Sequence, residues 1–481
     1  MTRVLFLCES FHPVLGGGET HVRRVGSALV GAGDAATVIT RRGELSWPAE
    51  EVVDGIRVVR VPPRGPGRTG KFLMVPGAFR AVLHEARRHD VLVVRGTRVL
   101  GLPGLVGGRA SGLGIVMQPE TNGELSGEAW TWGKAWGEGP AGRLARGATA
   151  LRNRWLRDAD AFVAMSRVIR DEMLAAGIPG DRVVLLRHGV DTDRFRPAGP
   201  GEREALRARL SLPKGVLAVY SGRLLRGKGL ETLLEAFAAV ARENADLSLV
   251  LLGSGGGQAL SVEAELRGWV AERGLADRIR FAGRVERVED TLRAADLFVF
   301  PSVFEALGIA LVEAAACGLP AVASRTGGIV DVVEDGRSGR LVAPGDAGAL
   351  AAALRGLATD GALRAGMGRE ARAVALARFD ERDGLRRYRA LFRRSLLGRL
   401  LHPGGDVFLV QVELLLHHRP LQLEGEVQRE QDDRREDADE VEPEVAGHAV
   451  DRSQGLGQVL LHGDQPGDVR DLVDRGVPDD A

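Results

Sequence analysis

Short apolar runs, each followed by a Gly-rich or polar turn and then a helical stretch, recur through the first half of the chain. Arg3 to Cys8, Ala36 to Thr40, Ile56 to Val61, Val91 to Val94 and Gly114 to Gln118 read as strands. Alternation of strand and helix predicts a parallel sheet with helices on both faces. The rhythm restarts at Val216 to Gly222 and continues through Leu247 to Gly253, Ile279 to Ala282, Leu297 to Pro301, Pro320 to Ser324 and Gly339 to Val342. The expected fold class is α/β, with two doubly wound domains facing a central cleft.

The hinge between the two series is expected at His188 to Pro197 (HGVDTDRFRP), which has the Gly, Asp and Pro of a connecting segment. We therefore expect one domain over residues 1–190 and a second over 191–378. Residues 379–401 read as a closing amphipathic helix, apolar at Leu385, Tyr388, Leu391, Phe392 and Leu396. Residues 402–481 lack Lys, Asn, Ile and Tyr and show no strand–helix units. Two readings stand for them: an acidic disordered tail, or a stretch translated past the natural stop in a GC-rich frame.

Composition adds a charge asymmetry. The formal net charge is zero, yet residues 1–400 carry about +13 and 401–481 about −13. A basic body suits anionic ligands such as nucleotides, or an anionic lipid surface. Cys8 and Cys317 fall in apolar segments, so a disulfide framework is not indicated and a reducing, cytoplasmic compartment fits. The chain enters a strand pattern without a charged n-region and apolar h-region, and Ala306 to Ala323, interrupted by Glu313, Gly318 and Pro320, reads as helix plus strand rather than a membrane span.

Candidate chemistry clusters at strand ends. Gly16, Gly17, Gly18 and Glu19 stand between strand one and a helical run, where backbone N–H groups can approach a phosphate; the same turn also reads as merely tight. The second series opens with Gly222, Arg223, Leu224, Leu225, Arg226, Gly227, Lys228 and Gly229, cations and flexible glycines that suit a diphosphate or a solvated basic loop. Glu305 lies in a loop and Glu313 on the following helix. Glu305 suits sugar hydroxyls and Glu313 a ribose diol, with the N–H groups of Leu307, Gly308 and Ile309 facing phosphate. Glu313 in an apolar helix also reads as a structural carboxylate.

In combination these motifs resemble glycosyltransferase family four: Gly16 to Glu19, GRLLRGKG (Gly222 to Gly229), FAGRV (Phe281 to Val285), FEALGIALVEAAACGLP (Phe304 to Pro320) and the junction Ser166 to Pro197. The similarity runs over about residues 3–395. It implies a GT-B architecture of two Rossmann-like domains, a nucleoside-diphosphate sugar donor and retention of anomeric configuration. It also implies site roles: Arg223 and Lys228 on the diphosphate, Glu313 on the ribose, Glu305 on the transferred sugar, Arg284 and Val285 on the base, and Gly17 and Gly18 on the distal phosphate. Arg223, Lys228 and Glu305 become the expected catalytic set. Many members carry a histidine after the fifth strand of the first domain; here the segment reads Met117 to Glu124 (MQPETNGE), and Gln118, Glu120 and Asn122 are the candidate sugar or acceptor contacts.

The pairs Asp158/Asp160 and Asp191/Asp193 have the spacing that holds Mg²⁺ or Mn²⁺ diphosphates in another glycosyltransferase architecture; at a helix end and in the hinge they read as structural, so no metal and no cofactor is expected. Leu125 to Arg157 holds Trp130, Trp132, Trp136 and Trp155 with Arg143, Arg146, Arg152, Arg154 and Arg157. That mixture suits an acceptor sugar or an anionic membrane, or else a lid with partly buried tryptophans. The expected function is transfer of a hexose-type sugar to a hydroxyl of a glycan, lipid-linked glycan or small glycoside, in the cytoplasm, either free or peripheral to the inner face of the membrane, and without nucleic acid. A nucleotide-sugar epimerase and a silent nucleotide-sugar binding module are the alternatives; histidine-poor loops weigh against the first, and the missing histidine motivates the second.

Overall fold

A computed structural model describes residues 1–400 except 15, 66–68, 129–138 and 259, and no side chains beyond Ser395. Trp130, Trp132, Trp136, Leu396 and the acidic segment 402–481 lie outside the described residues or side chains.

The first sheet holds eight strands: β1 (Arg3–Leu7), β2 (Ala35–Arg41), β3 (Glu50–Val53), β4 (Ile56–Val61), β5 (Val91–Arg95), β6 (Gly114–Gln118), β7 (Ala161–Ala164) and β8 (Val183–Leu185). Their order is β3-β4-β2-β1-β5-β6-β7-β8, and every pair is parallel except β3 with β4. The second sheet holds six parallel strands in the order β11-β10-β9-β12-β13-β14: β9 (Val216–Ser221), β10 (Leu247–Leu252), β11 (Ile279–Gly283), β12 (Leu297–Phe300), β13 (Ala321–Ser324) and β14 (Gly339–Val342). The alternating series read from the sequence are thus all six strands of the second sheet and five adjacent strands of the first, β4-β2-β1-β5-β6; β3, β7 and β8 were not anticipated.

Because side chains alternate across a strand, the first sheet sorts its apolar residues between two faces. Leu5, Leu7, Leu92, Val94, Ile115 and Met117 pack with Ala78, Val82, Leu100 and Leu105 of covering helices. Val4, Phe6, Val91, Val93 and Val116 meet Val22, Val25 and Leu29 on the other face. The closing helix, Glu381–Leu400, returns to this second face, although it follows the second domain in sequence. Its Phe392 ring meets Phe6 edge-on at 6.2 Å, with Tyr388 and Leu391 buried beside it.

Two connections therefore run side by side between the domains. Val190 of the hinge donates to Phe379 O and accepts from Glu381 N, at 2.9 and 3.0 Å. Asp191 turns the hinge by accepting from the amides of Asp193 and Arg194. Both cysteines are buried thiols. No helix among the described residues is long and apolar enough to cross a membrane.

Candidate functional site

In open parallel sheets, ligands sit beyond the carboxyl ends of the strands where the strand order reverses. The reversals fall between β1 and β5 in one domain and between β9 and β12 in the other. Most site residues expected from the sequence lie on loops at the carboxyl ends of strands or on the helices that follow them.

After β9 the loop 222–229 ends on Gly229, whose φ of +67° starts the helix Leu230–Ala241. A Cβ there would fall 2.0 Å from the carbonyl oxygen of Pro301, so only glycine lets this loop press against the end of β12. The close approach brings Lys228 Nζ to 2.7 Å from Glu305 Oε2. Arg223 is exposed on the same loop, and its carbonyl accepts from the Tyr220 hydroxyl at 3.2 Å.

Gly308, at φ +88°, opens the helix Ile309–Ala316. The amides of Leu307, Gly308 and Ile309 donate to no group among the described residues, which leaves an anion-seeking helix start beside Lys228. Glu313 lies further along this helix, its side chain 16% exposed but walled by cleft residues. Burial pushes its carboxyl up to about 7, against the pull of Arg24 and Arg194. Arg24 comes from the first domain, Nη2 standing 3.9 Å from Glu313 Oε1. Arg284 is exposed and Val285 half-buried after β11.

Across the cleft, Gly17 and Gly18 form the first turn of the helix Gly17–Gly31. A Cβ on Gly17 would stand 3.6 Å from Ile309, so the two helix starts face each other. Arg95, buried at the end of β5, donates to Gly18 O at 2.6 Å, and its Nη2 lies 3.5 Å from Glu120. Burial pushes Glu120 up to about 7, with Arg95 opposing. Glu9, Lys71, Arg98 and Glu124 join Arg95 and Glu120 around a polar recess of about 80 Å³. Asn122 reaches the other domain, Nδ2 donating to Glu305 O at 3.4 Å, while its Oδ1 is buried without a partner among the described residues.

The expectation for Gln118 is corrected by its surroundings. It is buried, and its amide nitrogen is shared between Tyr388 Oη at 3.1 Å and His188 Nε2 at 3.2 Å. The return of the closing helix turns it into a junction rather than toward a sugar. In that junction the His21 and His188 rings stack with centroids 3.5 Å apart, and burial holds both well below the usual imidazole range. Trp155, read as part of a lid with partly buried rings, is 64% exposed.

Sequence reasoning missed Arg95, Arg24, the histidine pair and Asp331. Asp331 is fully buried and accepts from Arg167 N and Nε, both at 2.7 Å, so it pins the second domain to the first. A charged residue closing an otherwise apolar strand, as Arg95 closes VLVVR, was the one available signal. Among the described residues no cluster of three His, Cys, Asp or Glu is disposed to hold a metal. Asp158 and Asp160 are both paired with Arg109.

Residues 15–194 match Glycosyltransferase Family 4, and residues 202–374 match the glycosyl transferases group 1 family. D-inositol 3-phosphate glycosyltransferase 2 of Catenulispora acidiphila is 40% identical over 186 residues, 37% of this chain but only 43% of that relative. D-inositol 3-phosphate glycosyltransferase of Xylanimonas cellulosilytica is 31% identical over 380 residues, covering 76% of this chain and 87% of its own. Anabaena HepE, solved in complex with UDP-glucose, shares the fold with a TM-score of 0.65 at 21% identity, over 82% of this chain and all of that one. Two doubly wound domains closing on one cleft give the GT-B architecture. The chain belongs to glycosyltransferase family four.

Proposed function

We propose that the chain transfers a hexose-type sugar, with retention, from a nucleoside diphosphate to a hydroxyl of a glycan, lipid-linked glycan or small glycoside. The observation that carries this reading is the meeting of Lys228, Glu305 and the free amides of Leu307 to Ile309 at one strand-end crevice. Arg223, Lys228 and those amides hold the diphosphate, Glu313 the ribose, Arg284 and Val285 the base, Glu305 the sugar, and Gly17 and Gly18 the distal phosphate. The acceptor lies on the first-domain side, near Glu120 and Asn122.

As the C1–oxygen bond breaks, its electron pair passes to the diphosphate, where fixed cations and helix amides stabilise the growing charge. The acceptor oxygen bonds C1 on the same face, and its proton goes to the departing phosphate oxygen. The cations Arg223 and Lys228 take the place of a metal ion, so we propose that none is required. The setting is the cytoplasm, with peripheral contact to an anionic membrane.

A panel of nucleotide sugars screened by thermal shift identifies the donor, since a ligand at a hundred times its Kd stabilises by about 2.7 kcal/mol. Release of nucleoside diphosphate in the presence of chelator supports transfer without metal. Recovery of an epimerised donor, or binding without turnover, overturns the proposal.

A further inference from the structure

We propose that the helix Pro140–Leu156, with its neighbour Thr97–Ala110, docks the first domain onto an anionic phospholipid bilayer. This deepens the lipid-linked reading of the acceptor and takes its purpose from it, while docking itself does not depend on sugar transfer.

The helix Pro140–Leu156 has one anchored side. Gly142, Thr149, Asn153 and Leu156 are buried, and Asn153 Nδ2 donates to Leu125 O at 2.7 Å. Leu156 fills the space beside Gly101, where a Cβ would stand 3.2 Å away. On another side Leu144, Leu151 and Trp155 are 75%, 59% and 64% exposed. With Ala141 and Ala148 they follow the three- and four-residue spacing that lines one helical stripe.

Arg143, Arg146, Arg154 and Arg157 are exposed along one flank of that stripe. Arg143 and Arg154 have no ion pair among the described residues. The helix Thr97–Ala110 adds exposed Leu102 and Val106. Neither helix contains an Asp or Glu.

A second protein, or a second copy of this chain, would cover the apolar stripe but would have to bring carboxylates to meet the flank. Lipid headgroups supply anionic charge continuously above an apolar layer. A helix with Leu and Trp on one side and Arg beside them lies in such an interface, its cations at headgroup level. Location ties the surface to the site. Arg152 Nη2 donates to Glu124 O at 2.6 Å, so this helix braces the loop that carries Glu120 and Asn122. Docking would set the acceptor-side recess close to the bilayer.

The test mixes the full-length chain with vesicles of pure phosphatidylcholine and of equal parts phosphatidylcholine and phosphatidylglycerol. Co-sedimentation is expected with the anionic vesicles alone and falls as salt is raised. Leu151→Glu/Trp155→Glu and, separately, Arg143→Glu/Arg154→Glu are each expected to weaken binding at least tenfold. Both should keep the wild-type melting temperature and wild-type turnover of donor with a soluble acceptor. Absence of wild-type binding, or equal binding by the variants, overturns the proposal. So does a dimer that Leu151→Glu/Trp155→Glu dissociates, which would make the stripe a self-association face. Because turnover is read on the same samples, lost docking with intact turnover condemns only this inference, and lost turnover with intact docking condemns only the assigned reaction.

Discussion

The ammonium of Lys228 stands 2.7 Å from a carboxylate oxygen of Glu305, in a pair that joins the loop after β9 to the loop after β12. Neither group is fully buried, so the pair is a weak brace; its importance is that it occupies the place where the proposed donor brings a diphosphate and a sugar. On the proposed assignment, donor binding would convert one internal ion pair into two ligand contacts, the cation on phosphate and the carboxylate on sugar hydroxyls.

Lys228→Ala is expected to lower kcat by roughly 10² to 10³, because the cation matters most when the leaving group charges. Arg223→Ala should act similarly, and the double variant should fall short of additivity since both act on one diphosphate. Glu305→Gln keeps the shape but loses the charge, and should also injure turnover. Steady-state kinetics on variants with wild-type circular dichroism decide this; wild-type rates for Lys228→Ala and Glu305→Gln would mean the cleft is wrongly assigned.

Glu313 carries a pH dependence. With its carboxyl pushed up to about 7 by burial, it is half protonated near neutrality, and only the ionised form accepts two ribose hydroxyls. Donor kcat/KM should therefore rise with pH through about 7 and then level off. Glu313→Gln should remove that limb and raise donor KM more than it lowers kcat. Folding responds in the opposite direction. The native carboxyl keeps its proton above the ordinary range, so its contribution to stability is present at low pH and lost as pH rises through about 7. Urea midpoints of Glu313→Gln relative to wild type should accordingly improve from acid to mildly alkaline pH. Glu120, raised to a similar value, would keep the kinetic limb in Glu313→Gln if it were the titrating group instead.

The buried carboxylate of Asp331 takes two hydrogen bonds from Arg167 across the domain junction, with Arg187 Nε 3.8 Å away. Asp331→Asn should destabilise by about 2 kcal/mol, below the full loss for a buried pair because Arg167 is partly solvated. Looser apposition of the domains should also raise donor KM. Chemical denaturation and donor titration measure the two effects; unchanged donor affinity would show that this pin does not set the cleft.

Tyr388 supplies one hydroxyl to both Gln118 and His21, each at 3.1 Å. Tyr388→Phe leaves these buried groups short of a partner and should cost about 1 to 3 kcal/mol. The loss should appear as a lower urea midpoint, with donor turnover at saturation little changed because the junction lies away from the proposed reacting atoms.

The rhythm of apolar runs and turns was sufficient for eleven of the fourteen strands, most of which are buried on both faces and so continuously apolar whatever their partners are. β4, β6 and β14 have the bounds read from the chain. Of the three missed strands, β3 and β8 lack that signature, and β7 shows it over only four residues. Glu50–Val53 owes its conformation to antiparallel pairing with β4, and Val183–Leu185 is too short to display a period. Motif spacing likewise put Lys228, Glu305 and Glu313 on strand-end loops or the helix after them.

What lay beyond the sequence was every relation made by side-by-side placement of distant segments. Lys228 and Glu305 are 77 residues apart and meet because β9 lies beside β12 in the sheet and Gly229 permits the contact. Arg24 and Asp331 reach their partners only once the domains close, and Arg95 reaches Glu120 because β5 lies beside β6. Gln118 turns from the cleft because a helix returns to the first sheet and offers it Tyr388, 270 residues later in the chain. Local chemistry determined which segments become strands and which loops carry charge. Tertiary packing decided which charges face one another, because that depends on strand order and domain closure, and neither leaves a periodic trace in the chain.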